Sequence, residues 1–236
     1  MFRFKQFTVI QDKAAMKVCT DSCLFGSLIN ANECHSILDI GSGTGLLSLM
    51  LAQKYPKAKI TAVEIDPEAS INARENIENA LPLSKNISFV EADIKTFKED
   101  HLQKYDLIIS NPPFYQQYLK SPKDKKNIAH HNELLTFSDL IDAILKLLAP
   151  NGQVWILLPP FEMSRFESIC LLKGLLAQEM FSIKHNSEKP PIRMVARFSE
   201  QKNTVVTTEV INIHEKDNKT YSERFMNLLR DYYLIF

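Results

Sequence analysis

Ser36–Ile37–Leu38–Asp39–Ile40 runs without a break into Gly41–Ser42–Gly43–Thr44–Gly45, and then into Leu46–Ala52. The first stretch is an apolar run of strand length, and the last reads as a buried helix. The glycines between them let the backbone turn sharply and let a ligand come close to it. Strand, glycine-rich loop and helix in this order place free helix amides at a strand's end. The unit predicts an open, mostly parallel α/β sheet with a nucleotide-type ligand outside the strand ends.

The loop also discriminates among ligands. A dinucleotide site carries glycine at the third position of G-x-G-x-x-G, and here that position is Leu46. The loop reads G-x-G-x-G instead, so no pyrophosphate has to be seated. A smaller adenosine-bearing ligand fits better, and S-adenosylmethionine is the candidate. A second strand, Lys59–Val63, ends in Glu64, about 20 residues past the loop, where a carboxylate grips a ribose diol. Asp66 and Pro67 then open a helix, as N-cap and first residue. A third strand, Ile87–Val90, ends at Asp93 and Ile94. Asp93 either accepts from an adenine amine, with Ile94 against the ring, or caps a helix.

A fourth apolar run, Tyr105 to Ile109, leads into Ser110–Asn111–Pro112–Pro113–Phe114. Asn111 offers a side-chain carbonyl. Pro112 offers a backbone carbonyl on a chain that two prolines stiffen. Phe114 can present a flat apolar face. Two acceptors and a stacking ring suit a planar ring that bears an exocyclic amine. All four strand ends are expected to face one crevice.

The rest of the chain adds less chemistry. Lysine plus arginine, at 28, equals aspartate plus glutamate, at 28, so a nucleic-acid partner must be held by local patches. Lys120, Lys123, Lys125 and Lys126 lie beside Tyr115 and Tyr118, a mixture suited to phosphate contact and base stacking. Arg3 and Lys5 lean the same way. Phe2–Val9 alternates and is expected to pair with Lys17–Val18. Thr20 and Asp21 precede a helical Cys23–Ile29, as its N-cap or as polar groups at a pocket mouth. Cys19, Cys23, Cys34 and Cys170 lack zinc spacing and read as reduced thiols, with no metal. His130 and His131 are assigned no chemistry.

Further along, a helix Thr136–Leu148 carries a Thr136/Asp139 capping pattern. Ala149–Gly152 turns into the strand Gln153–Leu158, followed by a helix Pro160–Leu172. Strands Leu175–Lys184, Ile192–Phe198 and Thr204–Ile211 precede a terminal helix Tyr221–Tyr233. No linker or repeat divides the chain, so residues 1–236 read as one domain with 1–30 as an extension. Apolar runs fall short of a membrane span and no leader is evident, which makes a cytoplasmic protein the default.

Taken together, these motifs resemble a class I S-adenosylmethionine-dependent methyltransferase, and more closely the tRNA1(Val) adenine-N6 methyltransferase family. The resemblance is carried by Phe4–Lys5–Gln6–Phe7, Met16–Lys17–Val18, Thr20–Asp21, the loop from Leu38 to Gly45, and Ala62–Pro67. It continues through Ile109–Phe114 and Arg230–Leu234. Cys19 and Ser22 stand where the family pattern has glycines, and His130 where it has arginine. The resemblance implies a seven-stranded sheet with a terminal reversed hairpin and helices on both faces. It implies methyl transfer to the adenosine 3′ of the anticodon of a valine tRNA; a monomer is expected. The implied cofactor residues are Thr20, Asp39, Gly41, Gly43, Gly45, Glu64, Ile65, Asp93, Ile94 and Asn111, and the catalytic ones are Asn111, Pro112 and Phe114. Guanine in rRNA and a glutamine side chain in a protein are alternative acceptors. A non-catalytic RNA-binding module on the same fold is an alternative of another class.

Overall fold

The computed structural model describes residues 1–14, 17–31, 33–113, 135–201 and 205–236. A small antiparallel hairpin comes first, β1 (Phe2–Arg3) on β2 (Thr8–Val9). Its partner strand is therefore Thr8–Val9, not the expected Lys17–Val18. Helix α1 (Thr20–Leu28) follows, with Cys19 rather than Thr20 or Asp21 at its N-cap. Then come β3 (Ser36–Ile40), α2 (Leu46–Lys54), β4 (Lys59–Glu64), α3 (Pro67–Asn79), β5 (Ile87–Glu91), α4 (Ile94–Asp100) and β6 (Tyr105–Ser110). The carboxyl-terminal part holds α5 (Phe137–Leu147), β7 (Leu148–Leu158), α6 (Pro160–Leu172), β8 (Leu176–Lys184), β9 (Pro191–Ser199), β10 (Thr207–Asn212) and α7 (Glu223–Leu229).

Strands β3 to β10 form one sheet in the order β10-β8-β9-β7-β6-β3-β4-β5. Only β9 runs against its neighbours, β7 and β8. The reversed hairpin is thus present, but the sheet has eight strands where seven were expected, because β10 adds to the edge parallel to β8. In the middle, Leu107, Ile108, Ile109 and Ser110 are all buried. Burial without alternation marks a parallel strand covered on both faces. One face carries α1, α2 and α7, with Leu24, Phe25, Leu49, Met50, Phe225 and Leu229 in its core. The other carries α4, α5 and α6, with Phe97, Ile141, Ile144, Phe166 and Cys170. Gly26 sets the closeness of α1 to α2: a Cβ there would stand 2.6 Å from Met50 Sδ.

Local signals decide several boundaries. Asp66 accepts from Glu68 N at 3.0 Å, with Pro67 opening α3. Thr136 and Asp139 form the reciprocal capping box of α5, each side chain accepting the other's backbone N–H at 3.1 Å. Ser222 caps α7 by accepting from Phe225 N, so that helix starts later than Tyr221 and stops at Leu229. The turn expected at Ala149–Gly152 survives as a break in the ladder. Tyr105 faces Leu148 and Leu107 faces Gln153.

The segment after β2 has no strand partner and is held by two asparagines of α3. Asn76 accepts from Ile10 N at 2.7 Å and donates to Ile10 O at 2.8 Å and to Thr44 O at 2.9 Å. One turn earlier, Asn72 accepts from Lys13 N and Ala14 N and donates to Asp12 Oδ1. Positions four apart share a helix face, so both amides meet the same strap. Each replaces backbone partners that a strand would have provided. Asn76→Ala strands one buried and two part-buried backbone groups and should lower unfolding stability by about 2–4 kcal/mol, measured in urea. Proteolysis within residues 10–14 should accelerate in the same variant.

Candidate active site

The chain visits β3, β4 and β5 to one side, then returns to lay β6 on the other side of β3. At such a reversal the loops leaving neighbouring strands diverge and open a crevice. The register puts Ile40 opposite Ser110, and Ser110 Oγ donates to Ile40 O at 2.8 Å. Gly41 and Asn111, the next residue of each strand, therefore emerge side by side. Between them lies a cavity of about 320 Å³, bordered by Gly41, Gly43, Glu64, Ile65, Asp93, Ile94, Asn111 and Pro113.

Gly41, Gly43 and Gly45 have φ of +70°, +55° and +79°, a region that side chains strain to enter. A Cβ on Gly41 or Gly43 would meet nothing within 4 Å, so the loop backbone borders open space. The Glu64 carboxylate shapes this loop. Oε2 accepts from Gly43 N at 2.7 Å, and Oε1 accepts from Ile65 N and Asp66 N at 2.9 Å each. Glu64 is nevertheless on the cavity wall, with lone pairs left over for ligand hydroxyls. Asp93 caps α4 by accepting from Lys95 N at 2.8 Å and also borders the cavity. Its two sequence readings are both compatible with this position. Ile65 is 57% exposed, an apolar surface offered to a flat ring. Loop amides, a carboxylate at ribose distance along the chain and an apolar shelf fit an adenosine-bearing cofactor.

Other expected residues stand elsewhere. Asp39 is fully buried beneath the loop, accepting from Ser48 Oγ at 2.7 Å, and its Oδ1 has no partner. It does not reach the cavity wall, and neither do Thr20, Gly45 and Pro112. For Asp39 the reason is strand geometry: alternate residues face opposite sides, and its side is covered by α2. Lys5 commits its ammonium to the carbonyls of Arg230 and Phe236 and borders a different hollow, with Gln53 and Asp231. Arg3 is exposed on β1. Phe114, Lys120, Lys123, Lys125, Lys126, His130 and His131 lie outside the described residues.

Ala14, Lys17, Val18 and Ser22 also line the cavity, and sequence reasoning did not assign them to it. Nothing local marks them. Ala14, Lys17 and Val18 follow the strap that Asn72 and Asn76 lay across the loop, while Ser22 is brought there by α1. The signal was an asparagine pair at helical spacing, which reads as polar surface until its burial is known.

Burial pushes the Asp39 carboxyl up to about 7, and the nearby Glu64 charge adds to the effect while Ser48 opposes it. A carboxyl raised in the folded state binds a proton that the unfolded chain has already released. Folding stability should therefore fall as pH rises from about 4 to about 7, and be level above. Asp39→Asn abolishes this slope. Between pH 5 and pH 8, urea unfolding should show the variant gaining about 2–3 kcal/mol on wild type.

A family model described as the methyltransferase small domain matches residues 14–166. A Dyadobacter fermentans protein named tRNA1(Val) (adenine(37)-N6)-methyltransferase is 45% identical, covering 100% of this chain and 98% of its own. A Trichodesmium erythraeum relative of the same name is 38% identical over 99% and 97% of the two chains. A crystal structure of an Agrobacterium tumefaciens protein described as a predicted O-methyltransferase superposes with a TM-score of 0.71, covering 89% of this chain and 96% of that one. At 21% identity that last likeness is one of fold. Matched along nearly its whole length at this level of identity, the chain belongs to the small-domain methyltransferases, and within them to the tRNA1(Val) (adenine(37)-N6)-methyltransferase family.

Proposed function

We propose that this chain transfers the methyl group of S-adenosylmethionine to the exocyclic N6 amine of adenosine 37 in tRNA1(Val). One observation carries the reading at the level of the site: the glycine loop and the Asn-Pro-Pro corner open onto a single cavity. The full-length relatives carry it at the level of the substrate.

Gly41, Gly43, Glu64, Ile65, Asp93 and Ile94 hold the cofactor in this scheme. Glu64 takes the ribose hydroxyls, while Asp93 and Ile94 take the adenine. Asp39 acts from beneath, by setting the loop. When bound, the cofactor supplies an electrophilic methyl group on a positively charged sulfur.

The acceptor amine is a weak nucleophile, because its lone pair is delocalised into the ring. Asn111 Oδ1 accepts one of its hydrogens, and the Pro112 carbonyl, set between the wall residues Asn111 and Pro113, accepts the other. That arrangement favours a pyramidal nitrogen and turns its lone pair toward the methyl. Transfer would release the cofactor's sulfur as a neutral thioether, and the proton of the alkylated nitrogen would pass to water. No side-chain base is required. Rate comes from alignment and from acceptors fixed where positive charge develops. Phe114 stacks on a base drawn out of its neighbours, and the basic side chains at Arg3 and Lys120–Lys126 hold the RNA backbone. The enzyme works as a cytoplasmic monomer, one domain with residues 1–30 as its extension. Among the described residues no helix is long and apolar enough to cross a membrane.

Asn111→Ala should lower the rate about 10²–10³-fold while calorimetric binding of S-adenosylmethionine persists. Mass spectrometry of valine tRNA from cells lacking this protein should show one methyl group fewer at adenosine 37. A full complement of that methyl, with a loss appearing in rRNA guanine or a protein glutamine, would reassign the substrate.

A further inference from the structure

Beside Asn111, on the wall of the same cavity, stands a hydroxyl to which the scheme above gives no task. Asn111 Nδ2 donates to Ser22 Oγ across 3.2 Å. Ser22 Oγ in turn lies 3.1 Å from Cys19 Sγ. Ser22 is 5% exposed, and its place is set independently of Asn111. Its N–H donates to Asp21 Oδ1 at 3.0 Å, and Asp21 Oδ2 pairs with Arg193 Nε of β9 at 2.8 Å. Helix α1 is further seated on α2 through Gly26. The hydroxyl is a fixed post, not a group that follows the asparagine.

An asparagine amide has an acceptor end and a donor end of nearly the same shape. At this position the two are not equivalent. With Oδ1 toward the substrate, the amide accepts from the amine. Reversed, it would set its own N–H groups against those of the amine and align nothing. Asn111 needs a partner that holds Nδ2 on the far side. Ser22 Oγ can point its hydrogen at Cys19 Sγ and keep a lone pair for Nδ2.

We propose that Ser22 is a positioning residue for methyl transfer: its hydroxyl takes Nδ2–H of Asn111 and keeps Oδ1 turned to the substrate amine. The proposal rests on the reading of Asn111 as the amine acceptor. Ser22 touches neither reacting atom. It acts on the fraction of molecules whose amide faces the right way, so its removal lowers turnover and leaves binding alone.

The test uses the full-length chain with unmodified valine tRNA. Ser22→Ala should lower kcat about five- to tenfold, the loss of one hydrogen bond. The KM for tRNA and the calorimetric Kd for S-adenosylmethionine should stay within about twofold. In an Asn111→Asp background no amide remains to be oriented, so adding Ser22→Ala should change the residual rate by less than about twofold. In wild type, the Asn111 side-chain amide followed by 15N NMR should exchange slowly with solvent, and faster in Ser22→Ala. Unchanged kcat in Ser22→Ala, an equal loss in the Asn111→Asp background, or a wild-type Asn111 amide exchanging as fast as an exposed asparagine would overturn the proposal. Wild-type kcat in Asn111→Ala would instead remove the reading beneath it, whatever Ser22 does.

Discussion

The pairing of β3 with β6 decides where everything else in this protein can be. These strands are far apart in the chain and parallel, so no hairpin can bring them together. Their register, Ile40 against Ser110, is reinforced by the Ser110 hydroxyl on the Ile40 carbonyl. A slip of one residue would turn every β6 side chain to the other face of the sheet. It would bury Asn111 and swing the proline corner away from the glycine loop. The glycine loop and Asn111 are thus neighbours by strand register.

Around this pair the loop is held by side-chain contacts to backbone groups. Glu64 gathers the amides of Gly43, Ile65 and Asp66, which fixes the left-handed turns of the loop before any ligand arrives. Asn76 ties the same loop, through Thr44, to the strap at Ile10. A buried amide left unsatisfied is costly, and here each of these side chains finds its partners on backbone. The strap therefore lies over the cavity as part of the folded state. The same logic extends to α1, whose Asp21–Arg193 ion pair anchors it to β9, a strand on the far side of β7 and β6.

Asp39 is one of several buried side chains with an unsatisfied oxygen, Ser42 of the loop being another. Its Oδ1 is buried without a partner, and its burial pushes the carboxyl up to about 7. The cost is carried by a residue that sits directly under the loop.

Much of this was readable from the chain alone. Glycines at positive φ, a strand ending in Glu64, Asp66 before Pro67, and the Asn-Pro-Pro corner are local patterns whose physical causes lie within a few residues. The caps of α3 and α5 and the run of parallel strands follow from such patterns. What the sequence could not decide involves partners distant along the chain. Thr8–Val9 rather than Lys17–Val18 completes the hairpin, β10 finds an edge beside β8, and Ser222 shortens α7. Asp39 reads like a cofactor ligand until the sheet turns it toward α2. Lys5 reads like an RNA contact until the C-terminal carbonyls take it. Asn72, Asn76 and Ser22 read as ordinary polar residues until folding buries them against the strap and Asn111. Short-range patterns specify elements and the chemistry they carry. Only the packed sheet decides which face each side chain takes, because that depends on register and burial, which no single segment possesses.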